Sequence, residues 1–271
     1  MSVIAVNGTM LYYELRGAGP AVLFISGAAG DAGNWAEIAD TLENEYTILT
    51  YDRRAHSRSP RPQGWTAAPI DEQADDAAAL LRALDLAPAV AYGNSLGAVI
   101  LTSLALRYPS VLRGAIFHEP PYAAMSSEAN TVRTALQALI NEGMAKGGPP
   151  AAMELFQRWL AGDKVFESID PELRTRMLNN GEVFFGLELQ ALREYMPTPE
   201  QLAQIRIPCV VTAGADNRDP GAPTHWLYEV SQWLACQLNA SFVEIPGGHV
   251  PQVTQPLALA DMLRPILHKL I

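Results

Sequence analysis

Three short apolar runs stand out along the chain, and each stops at a small or turn-forming residue. Ala21-Val22-Leu23-Phe24-Ile25 ends at Ser26-Gly27, Ala89-Val90-Ala91-Tyr92 at Gly93, and Cys209-Val210-Val211-Thr212-Ala213 at Gly214. Runs without polar alternation fit strands buried on both faces, as in a parallel sheet. Tyr46–Tyr51, Gly114–Phe117 and Ser241–Ile245 read as further strands. Between them the period becomes helical. Asp71–Leu86 carries Ala74, Ala77, Ala78, Leu81 and Leu84 on one stripe, with Asp71 and Glu72 in the first turn, where negative charge suits the helix dipole. Leu96–Tyr108 reads as a buried helix stopped by Pro109. This alternation predicts an α/β fold, a mostly parallel sheet flanked by helices.

From about Pro121 to Pro197 the rhythm changes. Ala129–Lys146, Met153–Ala161, Pro171–Leu178 and Leu187–Tyr195 read as helices, Gly147-Gly148-Pro149-Pro150 as a break, and no strand is evident. The expected organisation is therefore a core of residues 1–121 and 198–271, with a helical cap (lid) over 122–197.

The bulk properties narrow the function. The chain has 271 residues, 49% of them hydrophobic, and a formal charge of −10 from 19 basic and 29 acidic residues. Such a surface disfavours nucleic acid and anionic membranes. Cys209 and Cys236 form no disulfide framework, and the histidines (His56, His118, His225, His249, His268) show no metal-ligand spacing. No apolar run approaches a membrane span, and the first residues lack the pattern of a signal peptide. The expectation is a cytoplasmic protein without nucleic-acid or membrane partners; a homodimer is left open.

The chemistry centres on Gly93-Asn94-Ser95-Leu96-Gly97, between the strand ending at Tyr92 and the helix from Leu96. Gly-x-Ser-x-Gly at a strand-to-helix corner is the nucleophile-elbow pattern. The serine takes a strained backbone to project its hydroxyl above the sheet, and small neighbours let strand and helix approach. The other reading is a turn with an incidental serine.

These residues, with Tyr51-Asp52-Arg53-Arg54-Ala55-His56-Ser57-Arg58-Ser59 and Gly247-Gly248-His249, make the chain resemble the α/β-hydrolase family over nearly its whole length. Ala55 and Ser57 stand where the family's D-x-R-G-x-G-x-S turn has glycines, and Ser26 where many relatives have histidine. The resemblance implies Ser95 as nucleophile and His249, after the last strand, as its base. His56 reads as structural. For the acid, the common family position after the strand Cys209–Ala213 is Asn217, with Asp216 and Asp219 near misses. His118-Glu119-Pro120-Pro121 is similar to the H-E-x-P segment of zearalenone-type lactone hydrolases, whose acid is that glutamate. Glu119 is accordingly the expected acid, with Asp216 the alternative. His118 is expected to point away from Glu119, because strand neighbours alternate sides. The oxyanion donors implied are the N–H groups of Leu96 and Ala28, with Gly27 the alternative.

Trp159, Phe185 and Tyr195 are candidate substrate contacts in the helical segment, which is apolar and poor in lysine. The function expected is a serine hydrolase cleaving a carboxylic ester or lactone of a hydrophobic small molecule through an acyl-enzyme, with no metal and no organic cofactor. The rivals are a cofactor-independent dioxygenase on the same fold and a non-catalytic small-molecule receptor.

Overall fold

A computed structural model describes residues 2–271. Eight strands form one sheet in the order β1-β2-β4-β3-β5-β6-β7-β8. They are β1 Ser2–Val6, β2 Thr9–Arg16, β3 Ala21–Ile25, β4 Thr47–Tyr51, β5 Ala89–Asn94, β6 Leu112–His118, β7 Cys209–Gly214 and β8 Ser241–Ile245. From β4 to β8 every pairing is parallel; β1 and β2 add an antiparallel edge hairpin that the apolar runs do not announce. Its residues are largely half-buried or exposed, and Asn7 and Gly8, both at positive φ, make its turn.

The helices are α1 Ala36–Leu42, α2 Ile70–Ala83, α3 Leu96–Arg107, α4 Ala129–Ala161, α5 Asp163–Ser168, α6 Pro171–Asn179, α7 Gly181–Val183, α8 Leu189–Glu194, α9 Pro199–Leu202, α10 His225–Leu238, α11 Pro251–Thr254 and α12 Pro256–Leu270. The central strands are largely apolar because they feed two separate cores. Leu23, Ile25, Ala91, Phe117 and Val211 pack on one face with Leu81 of α2, Val99 of α3 and Leu227 of α10. Val22, Phe24, Val90, Tyr92, Ile116 and Val210 pack on the other with Ile38 of α1 and Leu259 and Leu263 of α12. The alternation of Cβ directions along a strand makes this division. None of the described helices is long and apolar enough to cross a membrane.

The start of α3 lies against β3 more closely than any side chain permits. A Cβ on Gly97 would run into the Ile25 carbonyl oxygen, and one on Gly93 into the backbone of Gly97. These two glycines set how near the helix N-terminus comes to the sheet, and hence where Ser95 stands.

Between β6 and β7 the described chain is helical and without strand, as the lost strand pattern predicts. The break at Gly147-Gly148 lies inside α4, where both residues leave helical geometry (φ −170° and +73°) and the helix doubles back. Gly143 meets the backbone of Ala152 across this corner. The helix expected from Leu187 begins earlier: α7 and α8 are joined through a π-helical turn at Phe184–Glu188.

This inserted segment grips the core through polar groups. Arg176 Nε donates to Asp31 Oδ2 at 2.6 Å. Asn180 donates to the Ala29 carbonyl (3.0 Å) and accepts from the Ser57 N–H (2.8 Å). Glu188, wholly buried at the end of the π turn, takes the Arg53 guanidinium with both carboxylate oxygens. Arg53 Nη2 also donates to the Gly27 and Ala28 carbonyls at 3.0 and 3.2 Å. Burial alone would push the Glu188 carboxyl up; Arg53 and His56 outweigh it and bring it down to about 2.

Two measurements check this packing. Gly97→Ala is expected to lower unfolding stability by about 2 kcal/mol, from forced overpacking, read as a shift of the urea midpoint at unchanged slope. Glu188→Ala leaves a buried guanidinium unpaired and is expected to cost about 3 kcal/mol, whereas Glu188→Leu with Arg53→Met recovers most of it. The depressed Glu188 carboxyl stabilises the fold fully above its unfolded value of 4.5 and loses that contribution as pH falls toward 2. The double variant should therefore show a shallower acid loss of stability than the parent.

Candidate active site

The loops that follow β3, β5, β6, β7 and β8 gather at the carboxyl edge of the sheet, where ligands of such folds sit. Ser95 follows β5 at φ +57° and ψ −123°, a strained conformation for a residue with a Cβ. Its N–H donates to the His118 carbonyl at 2.8 Å, and its own carbonyl caps the first turn of α3. The hydroxyl has no hydrogen-bond partner among the described residues and opens on a cavity that His249 also lines.

Ser26-Gly27-Ala28-Ala29-Gly30 forms the opposite wall. A Cβ on Gly27 would lie 3.1 Å from the Ser95 Cβ, so a side chain there would crowd the serine. The N–H groups of Ala28 and of Leu96 have no acceptor among the described residues. Ser26 stands where many relatives have histidine; its hydroxyl accepts from Trp35 Nε1 at 2.7 Å and donates to the Asp31 carbonyl, so the loop is braced by the Trp35 ring. The carbonyl side of the loop is held by Arg53, and His56 lies against it as well, 3.3 Å from the Ala28 oxygen.

The structure brings His249 and Glu119 together. His249 Nδ1 lies 2.7 Å from Glu119 Oε2, with both side chains buried. Glu119 Oε1 accepts from the Gly214 N–H (2.8 Å) and the Asn217 amide (2.7 Å). Burial pushes this carboxyl up, but His118, His249 and the Asn217 amide hold it below its ordinary value. Asp216 is exposed and makes no side-chain bond to His249; Asn217, at the common acid position, serves as a donor to Glu119.

His118 does not point away. Its Nε2 lies 3.9 Å from Glu119 Oε2, and its ring stacks between Tyr92 and His249 at centroid distances of 6.1 and 6.3 Å. Alternation fails because Glu119 has left the strand, at φ +47°. Burial brings the His118 imidazole down to about 4, so it is neutral at pH 7. His118, Glu119 and His249 also offer three atoms within 4.8 Å that could face a cation, although both Glu119 oxygens are already engaged by N–H donors as placed.

Asn94, the middle residue of Gly93-Asn94-Ser95, donates to the His249 carbonyl at 3.0 Å and accepts from Gln252, tying the histidine loop to the elbow. Nothing in the local pattern marks this bond. Of the expected substrate contacts, Trp159 lines a second space that meets the first at His249. Phe185 and Tyr195 line neither; Phe185 instead packs edge-on against Phe156 and Phe184.

Known proteins agree with this architecture. Uncharacterized hydrolase YraK of Bacillus subtilis (strain 168) is 30% identical over 269 residues, covering 98% of this chain and 95% of that protein. The zearalenone hydrolase of Bionectria ochroleuca is 24% identical over 253 residues, 92% of this chain and 90% of that one. A thermophilic esterase from Thermogutta terrifontis superposes with a TM-score of 0.78 at 21% identity, over 100% of this chain and 99% of that one. Residues 20–256 match the family described as alpha/beta hydrolase fold, and the chain belongs to that family.

Proposed function

We propose that the protein is a serine hydrolase acting on a carboxylic ester or lactone of a hydrophobic small molecule. The observation that carries this is the 2.7 Å contact of His249 Nδ1 with the buried Glu119 carboxylate, beside a cavity shared with the Ser95 hydroxyl. A carboxylate at Nδ1 fixes the imidazole with its proton there, leaving Nε2 as the lone pair that can take a proton. Ser95 attacks the carbonyl carbon as His249 takes its proton. The developing oxyanion meets the N–H groups of Leu96 and Ala28, donors with no other acceptor among the described residues. His249 returns the proton to the leaving alcohol, and water, activated by the same base, releases the acid. The steps call on no metal or cofactor. The inserted helices act as a cap over the serine.

Treatment with a fluorophosphonate probe followed by intact-mass measurement tests the assignment. The parent should gain one adduct and Ser95→Ala none. Glu119→Gln keeps an oxygen for Gly214 and Asn217 but turns an amide N–H toward His249, forcing the wrong tautomer. Its rate of adduct formation should fall about ten-thousandfold, while Asp216→Asn should label like the parent. An unlabelled Asp216→Asn beside a labelled Glu119→Gln would move the acid to Asp216. A labelled Ser95→Ala would remove the nucleophile.

A further inference from the structure

Two spaces of very different size meet at the His249 ring. The first, about 40 Å³, is bounded by Ser95 and the Gly27–Ala28 loop, and closed by Phe156, Phe166 and Met177 of the helical segment. The second, about 670 Å³, runs outward between the α4–α5 junction and the segments after β7 and β8, with Trp159, Ala222, Pro223 and Val250 among its walls. His249 and Val250 border both, as do Leu160, Ala161 and Val165; Ser95 borders only the first.

The chemistry assigns a side to each half of an ester. With the carbonyl carbon over Ser95 and its oxygen toward Leu96 and Ala28, two substituents remain to be placed. The alkoxide oxygen must receive the proton carried by His249, so the alcohol half lies on the imidazole side. The acyl half lies on the other, within the small cavity. The small cavity is less than a tenth of the second in volume, so the acyl half is the smaller one, the size of an acetyl or propionyl group. The second space falls in the range of pockets that take drug-sized molecules, roughly 300–1,000 Å³.

The walls of the larger space also speak to charge. The guanidinium of Arg158 is already taken by Glu154, Asp163 and Glu167, and Asp216 leaves an exposed carboxylate at the margin. An anionic alcohol finds no free cation there, whereas the Trp159 indole and the aliphatic side chains suit an uncharged aromatic or alicyclic one.

We infer that the substrate is a short-acyl ester, acetyl or propionyl, of a bulky uncharged alcohol or phenol, and that the groove bordered by Trp159, Ala222 and Val250 is the alcohol subsite. This rests on the serine-hydrolase reading above. The bond between acyl carbon and alcohol oxygen breaks, the bond to Ser95 Oγ forms, and the serine proton passes through His249 to the alcohol. Water then replaces Ser95 on the acyl carbon.

Two isomeric esters separate the halves: 2-naphthyl acetate places the rings on the alcohol, and methyl 2-naphthoate places them on the acyl group. The expected kcat/KM, each divided by the rate constant for alkaline hydrolysis, favours the acetate at least a hundredfold. p-Nitrophenyl octanoate should fall at least tenfold below p-nitrophenyl acetate. In Ala222→Trp, the ratio of kcat/KM for 2-naphthyl acetate to that for ethyl acetate should drop at least tenfold. Equal or better turnover of the naphthoate or the octanoate, or an unmoved ratio in Ala222→Trp, overturns the inference. So does a chain that gains the fluorophosphonate adduct yet hydrolyses neither isomer. A chain that neither labels nor hydrolyses either ester overturns the serine-hydrolase reading itself.

Discussion

The candidate site depends on one buried carboxylate. Glu119 is removed from water, and a charge there is tolerable only if its oxygens are satisfied. Three groups do so: the Gly214 N–H, the Asn217 amide and the His249 ring. Two sit at the end of β7 and just after it, the third in the loop after β8, so one side chain at the end of β6 sets the spacing of β6, β7 and the histidine loop at the carboxyl edge. Asn94 closes the arrangement by holding the His249 carbonyl from the elbow. The imidazole is thus fixed at its ring by Glu119 and at its backbone by the residue preceding Ser95.

A second buried ion pair organises the opposite wall. Arg53 holds the Gly27 and Ala28 carbonyls, and Glu188 holds Arg53 from the inserted helices. In a planar trans peptide the carbonyl of one residue and the N–H of the next point opposite ways, so Arg53, by holding the Gly27 and Ala28 carbonyls, bears on where the Ala28 and Ala29 N–H groups point. Such pairs specify an arrangement more than they stabilise it. The grip is also uneven. Residues 176–188 are clamped to the loops after β3 and β4 by polar bonds, while Phe156, Leu160, Val165 and Phe166 line the cavity at Ser95 with apolar surface.

Much of the sheet was legible because double-sided burial leaves a clear mark: Ala21–Ile25 is apolar at every position and Cys209–Gly214 at all but Thr212, to serve two cores. The elbow was legible for a similar reason, since only glycine fits at 93 and 97. The edge hairpin leaves a different mark, the Asn7-Gly8 turn after Val3-Ile4-Ala5-Val6, rather than that of a strand buried on both faces. Pairings such as Arg53 with Glu188, 135 residues apart, leave no trace in local periodicity. The orientation of His118 escaped because a left-handed residue at 119 ended the strand one position sooner than alternation assumes. Ala55 and Ser57, where the resemblance led one to expect glycine, keep the positive φ that glycine would supply (+61° and +50°), and Ser57 is held there by Asn180.

The bond between Asn217 and Glu119 has a consequence for tracing kinship. One partner contributes an oxygen and the other a nitrogen, and the two side chains sit at the tips of neighbouring strands. Exchanging amide for acid at both places would reverse the polarity of the bond yet preserve it, carrying the negative charge from one strand to the next. Two proteins could then share a common ancestor while their acids occupy different places in the linear order, and a comparison that lines up acidic residues alone would miss the descent.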